Sequence, residues 1–506
     1  MKNAFWIFYI LFFLVSCRST EKQVIVENWQ IFESSITQHK TYQDPFEDVK
    51  LEVKYYRPDG KIVQFPGFYA GNHTWKFRIL PDKTGSWKYE ARFSDGSASK
   101  SGNFLCVESE TKGMPITLKA NPTWFGWSNG KAFLVRSLHV GDRFFAENWY
   151  PENRKLFLDW FQEQGYNTLS VASFLLNRET AGRGLDWQTP DLWDAEMHNP
   201  NPEEFDKLEG ILNDLLKRNI VVFPFAGFIG RDSDILPHSK NWSQFIEYSL
   251  ARLGAYPNLV FNIAGPEPLL RSKPFLNIKE INELGKQISK LDVHDHLLTV
   301  HNATGDDVFR TMDWVSFITL QGPKKLNRDE LSNGILRTRH PSKPLFAQET
   351  LWPGNMHHPP YSIEDIRKNG LVMLMSGAMI NFGDMDGNSS SGFSGTLDPV
   401  NLHQEWHDEI HNVWDFFDRF NWWNMTPRQD LVDSGYCLAN PGLEYLVYLP
   451  KGGIVNMKLV RGNYTVDWWD PSKPDKPVNT TNIEDGLKLH LPLGNREILL
   501  HIASKQ

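Results

Sequence analysis

The feature that most constrains the fold is a change of rhythm between about residues 115 and 425, where short apolar runs alternate with amphipathic stretches. Eight strand candidates can be counted, at 133–140, 167–175, 220–228, 259–264, 297–301, 314–320, 344–348 and 378–382. Between them, 154–164 and 205–218 carry apolar residues at helical spacing and are the clearest helices. Eight strand–helix units in roughly three hundred residues is the count expected of a (β/α)8 TIM barrel. A doubly wound open sheet is the competing architecture, but the sequence holds neither Gly-x-Gly-x-x-Gly nor a P-loop to support it.

The flanks have a different period. Leu51-Glu-Val-Lys-Tyr-Tyr and Trp75-Lys-Phe-Arg-Ile-Leu alternate apolar and polar residues. Pro81-Asp-Lys-Thr-Gly85 makes a turn, and Trp87-Lys-Tyr-Glu-Ala-Arg-Phe resumes the alternation. Strand, turn and strand at this spacing predict a β-sandwich over 24–110. After the barrel region (115–425), strand patterns return at 444–450, 454–460, 464–469, 487–491 and 497–502. A small C-terminal β-sandwich over 429–506 is expected. The fold class is thus multidomain, α/β plus all-β, which suits 506 residues.

The first residues read as targeting. Lys2 is followed by an apolar run from Ala4 to Val15, too short to span a bilayer as a mature helix. Leu14-Val15-Ser16-Cys17 is similar to a bacterial lipobox, which makes 1–16 a signal peptide, Cys17 a lipidated residue and 17–23 a tether. The implied location is the envelope of a Gram-negative bacterium, on the outer membrane, with the lipid as membrane contact. Ordinary secretion with a chance cysteine is the alternative.

Composition excludes some classes. With 41% hydrophobic and 23% charged residues, composition argues for a large folded core and against general disorder. A net charge of -8 argues against nucleic acid as a partner. The 19 tryptophans mildly favour carbohydrate, because sugar rings have apolar faces that stack on indoles. Cys106 and Cys437 lack the neighbours of a zinc site and read as small buried hydrophobes. No cofactor is implied.

In a barrel the carboxyl ends of the strands converge on one mouth. Read in order, those ends give His139 and Asp142, Ser173, Phe228 and Arg231, Glu267, His301 and Asn302, Gln321, Glu349, and Asn381 with Asp384 and Asp386. The set is polar while the strands feeding it are apolar. Glu267 closes the run from Asn258, and Glu349 closes the run from Lys343. Two carboxylates on distant strands are what glycosidic cleavage needs: one protonates the leaving oxygen, the other attacks the anomeric carbon or activates water. Glu267 is assigned as acid/base and Glu349 as nucleophile. His139, Asp142, Arg231, His301, Asn302, Gln321, Trp352 and Asp384 are the candidate substrate contacts. His139 and Asp142 could equally share a structural hydrogen bond. The Gly383–Ser391 stretch, with Asp384 and Asp386, suits a loop better than a calcium site. His357-His358 is adjacent, which is poor metal geometry. Of Trp124, Trp127, Trp187, Trp193 and Trp352, one or two are expected to be sugar platforms and the rest packing.

The acid/base at the end of strand four and nucleophile at the end of strand seven resemble the retaining glycoside hydrolases of clan A. More closely, the chain resembles the apiosidase-like glycoside hydrolases of Bacteroidetes. Those combine an N-terminal β-sandwich of unassigned function, a TIM barrel and a C-terminal β-domain named for collagen binding. The matching stretches are Gly71-Asn-His-Thr-Trp-Lys-Phe-Arg, Thr84-Gly-Ser-Trp87, Gly165-Tyr-Asn-Thr168, Asn262-Ile-Ala-Gly-Pro-Glu267, Lys343-Pro-Leu-Phe-Ala-Gln-Glu349 and Ser376-Gly-Ala-Met-Ile-Asn-Phe-Gly383. The resemblance implies a glycosidase acting on plant or algal polysaccharide or its oligosaccharides. One departure matters. Clan A enzymes usually place Asn before the acid/base, to bind the sugar's 2-hydroxyl, and here Pro266 holds that place. This leaves room for an inverting mechanism. A glycan- or matrix-binding protein without catalysis is a rival, which Pro266 favours. A polysaccharide lyase is a third, less suited to paired glutamates.

Overall fold

The computed structural model describes residues 23–145, 151–171, 192–193, 198–230, 242–269, 276–303, 308–321, 327–355, 360–385, 403–492, 494 and 496–505. Residues 25–107 form two sheets. One runs in the order Ile25–Glu27, Ser99–Val107, Gly85–Phe93, Leu51–Tyr56, Ile62–Pro66; the other runs Phe32–Thr37, Thr74–Ile79, Phe68–Tyr69. The period-two pattern sets the burial: Leu51, Val53 and Tyr55 turn inward, as do Trp87, Tyr89, Ala91 and Phe93. Phe32, Trp75, Phe77, Trp87 and Phe104 fill one core shared by the two sheets.

The central part carries a sheet of seven parallel strands. Their order is Val221–Pro224, Thr168–Val171, Arg136–Gly141, Met379–Phe382, Leu345–Leu351, Ile318–Gln321, His301–Ala303. The remaining strand candidates appear as short parallel pairs, Phe261–Asn262 with Leu298–Thr299 and Ile229–Gly230 with Ala264–Gly265. Backbone bonds join them to the sheet's two ends. Val222 N donates to Asn258 O (2.8 Å), and Ser316 N donates to Leu298 O (2.8 Å). The helices among the described residues are α1 (Pro151–Glu163), α2 (Pro202–Lys217), α3 (Trp242–Leu253), α4 (Ile278–Leu291), α5 (Arg328–Thr338), α6 (Ile363–Met375) and α7 (Gln404–Phe417). In α2, Phe205, Leu208, Leu212 and Leu215 recur at helical spacing and are all buried. The Gly165–Thr168 stretch has a clear local purpose. Gly165 takes φ +87°, a left-handed position that favours glycine, just after α1. Asn167 then splices two strands: its Oδ1 accepts from Arg136 N (2.9 Å) and its Nδ2 donates to Leu134 O (2.9 Å).

The amino ends of the parallel strands are closed by an antiparallel hairpin, Pro115–Thr117 with Phe125–Trp127. Phe125, Phe133, Phe223, Phe317 and Phe346 meet there in an apolar layer.

The C-terminal part is all-β, as its patterning predicts. Among the described residues its strands hydrogen-bond as one six-stranded antiparallel sheet, in the order Thr426–Pro427, Tyr436–Asn440, Glu444–Leu449, Ile498–Ser504, Ile454–Trp469, Asn479–Pro492. The two strand candidates at 454–460 and 464–469 are a single strand of 16 residues, irregular between Lys458 and Tyr464. Bulges of this kind bend a strand. Cys437, Tyr445, Val447, Val455, Met457, Tyr464, Val466 and Ile502 form the sheet's own core. Leu438, Leu446, Tyr448 and Leu499 belong instead to the central core.

Both flanking parts are tied to the centre by buried or partly buried polar contacts. Arg78 donates to Glu209 of α2 (2.7 Å) and to the α3 carbonyl of Arg252 (2.6 Å). On the other side, Arg367 of α6 bonds Glu409 (2.7 Å) and Glu497 (2.9 Å). Cys106 and Cys437 are buried free thiols, and burial pushes the Cys437 thiol up to about 12. Trp124, Trp127, Trp193 and Trp352 are 1%, 7%, 2% and 0% exposed, so none of the four offers an open platform. Trp187 lies outside the described residues.

Candidate active site

Glu349 owes its orientation to an irregularity. Along a regular strand Gln348 and Glu349 would point to opposite faces. Gln348 points inward, where its Nε2 meets Ser170 Oγ at 2.8 Å. Strict alternation would therefore turn Glu349 away from the strand ends. Instead, the register slips: Ala347 pairs with Ile380 but Leu351 pairs with Phe382, so the Glu349 strand carries extra residues. A bulge re-aims side chains, and here Gln321 Nε2 donates to Glu349 Oε2 at 2.6 Å. Asn381 braces the bulge, donating to Gln348 O (3.0 Å) and accepting from Ser137 Oγ (2.7 Å). Glu349 and Gln321 are 2% and 4% exposed, so water does not dilute the contact.

Glu267 is held differently. The strand ends at Gly265, and Glu267 follows Pro266 with φ +50°. A left-handed conformation costs a non-glycine residue about 1–2 kcal/mol. Such conformations persist where surroundings impose them, and they cluster at functional sites. Here Glu267 N donates to His301 O (2.9 Å). The carboxylate's residue is half-buried.

His301 is fully buried. Its backbone N donates to Asn262 Oδ1 (3.1 Å) and its Nδ1 donates to Phe225 O (3.2 Å), which fixes the ring. Pairing sets His301 opposite Thr319 and Ala303 opposite Gln321, so His301 and Gln321 share a face. Asn302, between them, alternates to the other face. His139 stacks on Trp352, with ring centroids 4.2 Å apart, and its Nδ1 lies 3.4 Å from Ser170 Oγ. Glu349, Gln321 and His301 thus sit on neighbouring strands, and backbone bonding brings Glu267 to His301. His139 joins through Ser170 and Gln348.

Two of the candidate substrate contacts, Asp384 and Trp352, are enclosed. Asp384 is 1% exposed, and its oxygens accept from His403 N (2.8 Å), His403 Nδ1 (2.7 Å) and His407 Nε2 (3.0 Å). Burial alone would raise its pKa. The His407 and His403 bonds outweigh burial and hold the carboxyl below the usual range. It anchors the start of α7. Trp352 is wholly buried with His139 on its ring, so it packs the site from beneath. Arg231, Ser173, Asp386 and His357-His358 lie outside the described residues, as does the Asp142 side chain. Ser170, Gln348, Asn262 and His407 were not singled out from sequence. Ser170 and Gln348 carried a usable signal: each is a polar residue inside an apolar strand.

Residues 145–412, more than half of the chain, match the family described as "Apiosidase-like, catalytic domain". That span holds Glu267, His301, Gln321 and Glu349. Residues 25–94 match a domain of unknown function, DUF5060. Among curated proteins none matches. A candidate glycoside hydrolase from Bacteroides vulgatus superposes with a TM-score of 0.77 at 17% identity, covering 96% of this chain and 100% of its own. A glycoside hydrolase family 5 structure from Bacteroides vulgatus gives 0.56 at 13% identity, covering 78% and 94%. Another structure described as a glycoside hydrolase gives 0.59 at 14% identity, covering 78% and 97%. At these identities the likeness is one of fold. The family match rests on the stretch that carries the carboxylates and their bonded neighbours, and by it this chain belongs to the apiosidase-like glycosidases.

Proposed function

We propose that this glycosidase cleaves a plant or algal polysaccharide, or its oligosaccharides, by retaining double displacement, with Glu349 as nucleophile and Glu267 as acid/base. The observation that carries the reading is the 2.6 Å bond from Gln321 Nε2 to a buried Glu349 at a bulged strand end. An amide N–H aimed at a carboxylate stabilises its charge and fixes its direction of attack. In the first step Glu349 attacks the anomeric carbon while Glu267 gives a proton to the leaving oxygen. In the second, Glu267 takes a proton from water, which displaces Glu349. Pro266 supplies no donor to a 2-hydroxyl. That contact must come from neighbouring strand ends, of which His301 is the nearest by backbone bonding.

The architecture that goes with this reading is a closed eight-stranded barrel with flanking β-domains. The backbone bonds of Val222 with Asn258 and Ser316 with Leu298 support closure. We also propose that residues 1–16 are removed, that Cys17 is lipidated, and that the enzyme works at the outer membrane of a Gram-negative cell. The apolar run and Leu-x-Ser-Cys support this.

The test is Glu349→Gln and Glu267→Gln against a panel of plant and algal glycans, with NMR of the first-formed anomer. Near-full activity in both variants would sink the assignment. A carboxyl separation of about 5–5.5 Å in a ligand complex goes with retention, and roughly 6.5–9.5 Å goes with inversion.

A further inference from the structure

Glu267 stands past the end of its strand, so something other than a sheet ladder has to fix it. The stretch 261–265 changes partner along its length. Phe261 and Asn262 pair with Leu298 and Thr299, whereas Ala264 and Gly265 pair with Ile229 and Gly230. Backbone bonds follow the switch: Ile263 N donates to Thr299 O (2.8 Å), and Ile229 N donates to Ile263 O (3.0 Å). A strand that changes partner leaves nearby backbone groups without a rung, and buried groups of that kind need a substitute.

Asn262 supplies the substitute. It is fully buried. Its Oδ1 accepts from His301 N (3.1 Å), and its Nδ2 donates to Phe225 O. A carboxamide offers an acceptor and a donor in one plane, as a peptide group does, so it links the strand ends on either side of its own. His301 Nδ1 donates to the same Phe225 O (3.2 Å). The corner has no slack: a Cβ on Gly265 would lie 2.5 Å from Phe225 O and 2.7 Å from His301 Cβ. At the end of this chain of bonds, His301 O accepts from Glu267 N (2.9 Å). Asn381 serves Glu349 in a parallel way, its amide donating to the carbonyl of the preceding Gln348 (3.0 Å).

We propose, on the reading that Glu267 is the acid/base, that Asn262 is its positioning residue. By fixing His301 between Phe225 and Glu267, it sets where the Glu267 carboxyl meets the leaving oxygen. Being enclosed, Asn262 acts through His301 and not on the sugar. Only an asparagine fits this task. Asp keeps the acceptor but sets a charge against Phe225 O, Leu fills the space and serves neither group, and Gln is one methylene too long. Displacing a reacting group by about 1 Å can cost roughly 10²-fold in rate.

Proton donation can be told apart from folding by the leaving group, because a poor one needs the proton and a good one does not. Phenyl and dinitrophenyl glycosides are made of the sugar that wild type releases from the glycan panel. For wild type, Asn262→Leu and Glu267→Gln, kcat/KM is measured on both, with thermal melts to confirm folding. Glu267→Gln should lose about 10²-fold or more in preference for the dinitrophenyl over the phenyl glycoside's demands, that is, its phenyl loss exceeds its dinitrophenyl loss by that factor. Asn262→Leu should show the same bias, by about tenfold to 10²-fold. Equal losses on both glycosides, as general loosening would give, or wild-type rates on both, overturn the proposal. Asn262→Ser is the substitute if Asn262→Leu does not fold, and loss of folding in both marks Asn262 as purely structural and overturns it as well. A bias in Glu267→Gln that the Asn262 variants lack removes the positioning role and leaves the catalytic reading standing. No bias in Glu267→Gln, or no sugar released by wild type, overturns that reading and the positioning role with it.

Discussion

Glu209 is the place to test whether the N-terminal sheets are part of the enzyme's fold or a passenger. Its carboxylate is 4% exposed and accepts from Arg78 Nη2 (2.7 Å) and Arg252 Nε (2.5 Å). Arg78 belongs to an N-terminal strand and Arg252 to α3, so one buried anion holds two cations from different parts of the chain. Replacing it by Gln keeps the volume and removes the charge. Two guanidiniums, 6% and 0% exposed, are then left with Glu33 and Asp206, whose side chains are 36% and 57% exposed. Removing one partner of a buried pair costs about 3–5 kcal/mol, and Glu209→Gln should fall in that range. Arg78→Met should cost less, about 1–3 kcal/mol, because Glu209 keeps Arg252. The two changes should be non-additive by about 1 kcal/mol or more. Calorimetry gives the stabilities, and hydrogen exchange in Leu51–Tyr56 reports whether the N-terminal sheets loosen with the central parallel sheet. Burial raises the Glu209 pKa, but the Arg78 and Arg252 bonds outweigh it and lower it. Its contribution is therefore present above the unfolded carboxylate value of about 4.3 and is lost as pH falls through the lower folded value. A Glu209→Gln loss under about 1 kcal/mol, or N-terminal sheets that melt independently at an unchanged midpoint, would refute the idea of one cooperative body.

Other perturbations probe the site and its supports. Glu349→Gln should lower kcat on the order of 10⁴-fold or more with the melting temperature unchanged; residual activity near wild type rejects the nucleophile. Gln321→Leu should lower kcat by about 10²-fold and shift the acidic limb of the pH–rate profile, whereas a purely structural role would leave that limb in place. Asp384→Asn should cost about 1.5–3 kcal/mol and speed hydrogen exchange at the start of α7; unchanged exchange there would deny it the anchoring role. His296 is fully enclosed, with Nδ1 facing Asp292 Oδ1 (2.9 Å) and Nε2 facing Tyr256 O (3.0 Å), so both nitrogens donate and the ring is cationic. Burial lowers its pKa, but the charge and bond of Asp292 outweigh burial and raise it. That stabilisation is fully present below the ordinary histidine value of about 6.5 and is lost as pH rises through the raised value. Melting curves across that range should lose this slope in His296→Gln, and an identical profile would exclude the pair as its source.

What was legible from sequence was whatever depends on local pattern. The 205–218 periodicity is α2 displaced by a few residues, and each barrel strand candidate overlaps an observed strand. What stayed hidden depends on contacts between distant segments. Nothing in Gly383-Asp-Met-Asp marks Asp384 as the partner of His403 and His407, because those residues approach it only when α7 packs back. Trp352 looks like a platform until His139, 213 positions earlier, covers its ring. The run 454–469 reads as two strands because Arg461-Gly-Asn interrupts the alternation, yet the chain absorbs the interruption as bulges and continues one strand.

The two carboxylates to which the sequence assigns different roles also differ in their surroundings, in the way those proposed tasks require. A nucleophile must be fixed within a fraction of an ångström and need not meet bulk water. Glu349 is nearly inaccessible, is bonded by Gln321 and stands on a bulge braced by Asn381 and Ser137. An acid/base must lose and regain a proton within one cycle, so it needs a path for leaving group and water. Glu267 is half-buried and stands beyond the end of its strand, in a left-handed conformation tied to His301 by one backbone bond. Exchanging the surroundings would suit neither role. If Glu267 were instead the nucleophile, trapping with a fluorosugar would label it, and the accessibility argument would fail with the assignment.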